Sequence, residues 1–107
     1  MQRSNIQEIT ATSGTVVIND ATGIAYINPA SVAATLTIQF PPNPQDQDFI
    51  CMQFGGTITG SNSVVTLLTL SPNPGQTLLG TGMTAAAEGV STAYQWRATN
   101  SKWYKIY

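Results

Sequence analysis

The chain has 107 residues, of which four are basic, five are acidic and none is histidine, and its formal net charge at pH 7 is −1. Its length suits a single domain. The shortage of acid and base groups argues against proton-transfer catalysis, and no cluster of Lys and Arg is available for nucleic acid or an anionic membrane. We therefore expect a structural or binding protein without nucleic-acid or membrane partners.

Residues 1–14 are polar and show no strand alternation, which predicts an N-terminal arm, docked or disordered, ahead of a domain over residues 15–107. This start contains no apolar run of the signal-peptide type. No segment of the chain reaches the ~20 apolar residues that a membrane helix needs. We expect a protein that lies outside membranes.

From residue 15 onward, runs of β-branched and aromatic residues alternate with turn clusters of Gly, Pro, Asn and Asp. The predicted strands are residues 15–19, 24–27, 35–40, 48–54, 57–59, 64–70, 91–98 and 102–107, with a short edge piece at 77–79. A single helical turn is expected at residues 83–88. The pattern predicts an all-β fold, a single antiparallel β-sandwich or jelly-roll-like domain of about eight short strands.

Two segments of the chain are similar to each other. LTIQFPPNPQ at residues 36–45 and LTLSPNPGQ at residues 68–76 each run from a strand into a Pro-Asn-Pro corner. A solenoid needs about three or more repeats to bury a continuous core. Two copies therefore favour two corners of one sandwich.

Two predicted strands are apolar on both faces. In one strand, Phe49 and Cys51 lie on the face opposite the core face. In the other strand, Val65 and Leu67 lie on that opposite face. A two-layer domain covers only one face of each sheet, so we expect a second copy of the chain to cover the other face. The alternative is that the loop at residues 75–90 folds over it.

The C-terminal hairpin carries most of the basic residues. A three-residue loop would pair Ala98 with Lys102 and place Arg97, Trp103 and Lys105 on the outward face. This register predicts an exposed cation–π pair between Arg97 and Trp103 across the two strands. All three outward residues are candidates for a subunit interface.

Asp46 and Asp48 form the one carboxylate pair that is close in sequence. They lack the further oxygen ligands of a Ca²⁺ site and the burial that a catalytic acid needs. We hypothesise that they meet the hairpin cations of a neighbouring subunit and help set its register. No catalytic, metal-binding or cofactor-binding residue is predicted.

Exposed aromatic residues offer another interpretation. Trp103, Tyr107 and Tyr26 could form a platform on which a sugar ring stacks, although aromatic residues at strand ends are more often part of a core or an interface. Cys51, flanked by Ile50 and Met52, fits a small buried apolar residue.

The segments LTIQFPPNPQD, DFICMQFGGT, VTLLTLSPNPGQTLLG and YQWRATNSKWYKIY resemble the small β domains of tailed-bacteriophage virion proteins, which occur in capsid decoration proteins, head fibres and tail-fibre tips. The resemblance spans residues 30–107 and implies a homo-oligomeric β-sandwich or jelly roll with no catalytic residues. It departs at residues 46–48, where Asp-Gln-Asp stands in place of the Asp-Gly common in such sequences.

We thus expect a structural virion protein that decorates or stabilises the outer surface of the head. Its predicted partners are itself, as a trimer, and the major capsid protein or another virion protein. The alternative is a receptor-binding tip that recognises a host-surface glycan.

Overall fold

The computed structural model describes residues 5–55 and 63–107, and within them it contains ten strands and no helix. The strands are β1 (Asn5–Ile9), β2 (Thr15–Val17), β3 (Thr22–Ile27), β4 (Ala33–Gln39), β5 (Phe49–Phe54), β6 (Ser63–Ser71), β7 (Thr77–Leu79), β8 (Ala86–Ala87), β9 (Ser91–Arg97) and β10 (Lys102–Lys105). The strand predicted at residues 57–59 lies outside the described residues. The predicted helical turn at residues 83–88 is wrong, because β8 occupies that place.

The first six strands alternate between two sheets. A six-stranded sheet has the order β1-β3-β5-β9-β10-β7, and a four-stranded sheet has the order β2-β4-β6-β8. Strands β1, β3 and β5 are parallel neighbours in one sheet, and β2, β4 and β6 are parallel neighbours in the other. Each pair of consecutive strands therefore forms one coil, and three coils stack as in a short β-solenoid.

The prediction of an all-β fold is confirmed, but that of purely antiparallel pairing is wrong. Among the ten described strands, only the pairs β5–β9, β9–β10 and β6–β8 are antiparallel. Two parallel neighbours in a sheet must be joined by a long crossover connection. Here each such connection contains a strand of the opposite sheet. The alternation of apolar and polar residues is the same for both directions, so the pattern of faces could not distinguish them.

The two similar segments of the sequence occupy equivalent places in successive coils. Leu36 pairs with Leu68, and Thr37 pairs with Thr69. Thr15 in turn pairs with Thr37, so β2 is a third copy that lacks the Pro-Asn-Pro corner. The repeat is therefore a stack of three strands rather than two corners of a sandwich.

The first coil begins inside the segment that was predicted to be an arm, because Asn5–Ile9 forms β1. The Gln7 side chain links this strand by hydrogen bonds to residues 17–22. Its Nε2 donates to the carbonyl of Val17 (3.1 Å), and its Oε1 accepts from the backbone N–H of Asn19 (2.8 Å) and the hydroxyl of Thr22 (3.0 Å). β1 and β2 therefore lie at the same end of the stack.

Apolar side chains, most of them aliphatic, fill the space between the sheets along the coils. Val16, Ile38 and Leu70 form one row in the four-stranded sheet. In the six-stranded sheet, the equivalent row consists of Ile9, Ile27 and Phe54. Because each row repeats at the ~4.8 Å spacing of neighbouring strands, successive coils pack in similar ways.

Aromatic side chains fill the other end of the core. Phe40 contacts Tyr94 and Trp103 with ring centroids 5.1 Å apart in each pair, and Trp96 lies 5.2 Å from Trp103. Gln76 secures this cluster: its Oε1 accepts from Trp103 Nε1 (3.0 Å), and its Nε2 donates to the carbonyl of Pro41 (2.9 Å). The side-chain amide of Asn73 donates to the carbonyl of Phe40, so the second Pro-Asn-Pro corner is bound to the first.

The predicted register of the C-terminal hairpin is wrong by one residue. Arg97 pairs with Lys102 and Trp96 with Trp103, which leaves a four-residue loop at 98–101 with Ser101 at a φ of 56°. A one-residue shift turns each side chain to the other face of a strand. Trp103 therefore lies fully buried in the core, and the exposed pair with Arg97 does not form.

Candidate functional site

Polar and aromatic side chains form a row across the outer face of the six-stranded sheet. Tyr26 on β3 pairs with Gln53 on β5, which pairs with Ser91 on β9, while Glu8 on β1 pairs with Tyr26 from the other side. Paired residues in a sheet point to the same face. The row thus crosses four strands on a face that leaves Gln53, Ser91 and Glu8 exposed.

A shallow groove of about 350 Å³ runs along part of this row. Its polar and aromatic lining comes from Tyr26, Gln53, Glu88 and Ser91. Glu88 reaches the groove from the turn between β8 and β9, which also brings Gly89 at a φ of 82°. The fold therefore joins an aromatic ring, an amide, a carboxylate and a hydroxyl from three separate parts of the chain.

Gly55 forms part of the groove wall and holds Tyr26 close to the backbone. A β-carbon at this position would lie 2.7 Å from both the Tyr26 hydroxyl and Asn28 Oδ1, which is closer than real contacts allow. A side chain at this position would therefore displace the tip of the Tyr26 ring or the Asn28 amide.

Tyr107 lies beside the row and covers the predicted interface residue Cys51. Its hydroxyl is 3.3 Å from the Cys51 sulfur, and its carbonyl accepts from the Thr92 hydroxyl (2.6 Å). The hydrogen bond with Cys51 raises the pKa of Tyr107 above its ordinary value. The second apolar face of β5 is therefore covered here by the C-terminal residue of the same chain.

The structure leaves only some predicted interface residues accessible. Val65 is buried in the core between Ala33 and Ala86, and Trp103 belongs to the aromatic cluster, so neither can face a neighbour. Phe49 is half-buried on the outer face of the six-stranded sheet. Leu67 is 53% exposed on the four-stranded sheet and remains available for a contact.

The acidic corner is connected to the hairpin of its own chain. Asp46 Oδ1 accepts from the backbone N–H of Ala98 (2.9 Å). Asp48 is buried, and its Oδ2 accepts from the backbone N–H of Gln45 (2.9 Å). The backbone N–H of Trp96 donates to the Asp48 carbonyl (2.9 Å), so this corner extends the pairing of β5 with β9. Asp48 therefore has a structural role within the subunit.

The hairpin cations do not converge with these carboxylates at one site. Arg97 is exposed, and its Nη2 donates to Gln95 Oε1 (3.4 Å). Lys105 packs its stem on Gly80 and donates from Nζ to the carbonyl of Thr81 (2.9 Å). The hypothesis that both acidic residues meet cations of a neighbour is wrong for Asp48, because its side chain is inaccessible.

Apolar side chains are exposed at the end of the stack formed by β1 and β2. Ile6 is 67% exposed on β1, and Val17 is 40% exposed on β2. Both strands are the outermost of their sheets among the described residues. One outer edge of each sheet is thus presented at this end of the stack.

Of the three predicted sugar contacts, the structure brings Tyr26 and Tyr107 to one outer face and buries Trp103. Sequence reasoning missed Gln53, Glu88 and Ser91, which carry no motif and are far from Tyr26 along the chain. Only the strand pairing brings them together.

No protein-family model, curated protein or solved structure matches the chain. In the parts of the chain that the structure describes, no group of three or more acidic or cysteine side chains is placed to hold a metal ion. Those parts also contain no helix of the length and hydropathy that a membrane crossing requires.

Proposed function

We propose that this protein is a structural component of a tailed-phage virion that decorates or stabilises the outer surface of the head, without catalytic activity or a cofactor. The observation that carries the proposal is the end of the stack, where β1 and β2 are the edge strands of the two sheets among the described residues and where Ile6 and Val17 are exposed. An end of this kind is suited to assembly with another β-rich protein.

Attachment would use backbone pairing. An edge strand presents N–H and C=O groups that accept a further strand, and proteins usually protect such edges with charges, prolines or bulges. β2 carries no charge and no proline, and its Val17 carbonyl already accepts from the Gln7 side chain. β1 carries one acidic residue, Glu8, and a register irregularity between Asn5 and Ile6, so its remaining residues provide the edge for docking. We place the major capsid protein or another virion protein at this end, with its strands continuing both sheets.

Oligomerisation would use a different surface. Leu67 lines a groove of about 310 Å³ together with Leu70, Leu78 and Met83, between β6 and the chain at residues 82–84. An exposed leucine beside an apolar groove is typical of a subunit contact. We propose that second and third copies cover this groove in a homotrimer.

Light scattering tests the oligomer. The wild-type chain should be a trimer at micromolar concentration, and Leu67→Glu should reduce it to a monomer, because a carboxylate would be desolvated in the contact. Ile106→Glu is the matched control, since Ile106 is 49% exposed but lies at the C-terminal end. A monomeric wild-type chain at all accessible concentrations would contradict the oligomer.

Particles lacking this protein test the attachment. Purified wild-type chain should rebind to their heads, and Ile6→Lys should rebind at least about tenfold more weakly, because it places a charge beside the docking edge. Gold label on the chain should lie over the head surface. Label at the tail tip would instead support the receptor-binding alternative.

A further inference from the structure

The groove on the outer face of the six-stranded sheet is not used by the assembly surfaces proposed above. It lies on β3, β5 and the start of β9, whereas Leu67 lies on the other sheet and the open end is formed by the edges of β1 and β2. If the groove binds no ligand, the proposed virion role is unaffected.

The dimensions of the row fit an extended ligand. Neighbouring strands are ~4.8 Å apart, which is close to the width of one pyranose ring. A row over four strands therefore spans a short oligosaccharide of two or three sugar units. Among the described residues the groove is open to solvent.

The chemistry of the lining matches the two kinds of surface on a sugar. The Tyr26 ring can cover an apolar C–H face of a pyranose. The Gln53 amide offers a donor and an acceptor, the Ser91 hydroxyl can do either, and the Glu88 carboxylate can accept from two neighbouring hydroxyl groups. Pairs of adjacent hydroxyl groups are what distinguish a sugar from a peptide.

The charge of the groove limits which sugars can bind. Its described lining includes Glu88 and no basic residue, and Glu8 continues the row beside Tyr26. Arg97, Lys102 and Lys105 lie on the C-terminal hairpin, outside the lining. A carboxylated sugar would meet like charge without a compensating cation.

We propose that this groove binds uncharged oligosaccharides, with Tyr26 as the stacking residue and Gln53, Glu88 and Ser91 as hydrogen-bonding residues, and that it disfavours acidic sugars.

A ¹H–¹⁵N NMR titration tests this proposal with four probes: lactose, maltotriose, chitotriose and the acidic 3′-sialyllactose. At least one neutral probe should give saturable shifts at the Gln53 side-chain amide and at the backbone amides of Gly55 and Gly89, with a Kd of about 1 mM or tighter. Absence of shifts with all three neutral probes at tens of millimolar would overturn the proposal. So would 3′-sialyllactose being the tightest of the four.

Variants assign the binding to the groove. Gln53→Ala and Tyr26→Ala should each weaken binding at least about tenfold, as is typical of a central contact residue. The matched control is Gln95→Ala, because Gln95 lies on the same outer face of β9 but outside the groove. Gln53 is exposed, so its substitution leaves the fold intact even if Tyr26→Ala does not fold. Equal binding by wild type and Gln53→Ala, or an equal loss with Gln95→Ala, would refute the site.

Discussion

The stacked coils of β1–β6 and the hairpin of β9–β10 are stabilised in different ways. In the coils, aliphatic side chains of similar size repeat from strand to strand, as Val16, Ile38 and Leu70 do. At the hairpin, aromatic rings of different shapes interlock, and Gln76 ties them to the Pro-Asn-Pro corners. The coils thus repeat one packing arrangement, whereas the hairpin has a packing arrangement of its own.

This difference indicates what each end of the molecule can do. A repeating coil presents at its edge the same kind of surface that the next coil uses, so it can accept a further strand. At the opposite end the edge strands β7 and β8 have only three and two residues, which offers little backbone for a further strand, and the largest side chains of the hairpin are turned into the core. The parallel end is therefore suited to docking, and the hairpin end acts as a cap.

The largest expected effect comes from the aromatic cluster. Trp103→Ala should lower the free energy of unfolding by about 4 kcal/mol, because it removes a buried ring and leaves Gln76 Oε1 without its indole donor. Tyr104→Ala, one residue along on the outer face, should cost about 1 kcal/mol. Urea unfolding measures both. The reverse order would mean that Trp103 faces outward and that the hairpin register is the three-residue-loop one.

Substitution of one glutamine at each end compares how much the two ends contribute to the free energy of unfolding. Gln76→Ala should cost about 2 kcal/mol, because it leaves the buried indole N–H and the Pro41 carbonyl without partners. Gln7→Ala removes three hydrogen bonds, but water can replace them at the open end, so we expect about 1 kcal/mol. Urea midpoints of both variants test the order. A larger loss for Gln7→Ala would show that the coil end, and not the cap, is the more tightly held.

The smallest effect depends on pH. Burial raises the pKa of Tyr94 above its ordinary value near 10. The folded state therefore retains a proton that the unfolded chain loses, so this contribution to stability is complete below about pH 10 and is lost as the pH rises through the folded-state pKa.

Tyr94→Phe should remove this loss of folding stability at alkaline pH. At pH 7 the change should stay within about 1 kcal/mol, because the Tyr94 hydroxyl has no hydrogen-bond partner among the described residues. Urea unfolding at pH 7 and near pH 11 measures the difference. Wild type should lose more stability between the two than Tyr94→Phe does, and the raised pKa of Tyr107 should affect both proteins equally. Equal losses would contradict the burial of this hydroxyl.

The positions of most strands could be predicted from the sequence, because β-branched runs and Gly or Pro clusters act locally. The stacking could not, since the coils differ in length and the repeat has no constant period. β1 was missed because its polar Gln7 serves to close the first coil, which is a tertiary contact. The hairpin register was predicted wrongly because Ser101 adopts a positive φ. A glycine at this position would have indicated such a turn, whereas a serine does not.

The candidate site was predictable only in its aromatic part. A tyrosine on a predicted strand, such as Tyr26, is a recognisable candidate for stacking. The amide of Gln53 and the carboxylate of Glu88 are ordinary polar residues until the sheet places them beside it. Their contribution is set by pairing between distant strands.

Amide hydrogen exchange of the chain, free and attached to the virion, tests most directly whether the parallel end docks and the hairpin end caps. We predict that the amides of β1 and β2 become at least about tenfold slower on attachment, because they gain hydrogen-bond partners, while those of β7 and β10 stay unchanged. Protection at β7 and β10 with none at β1 and β2 would contradict this account.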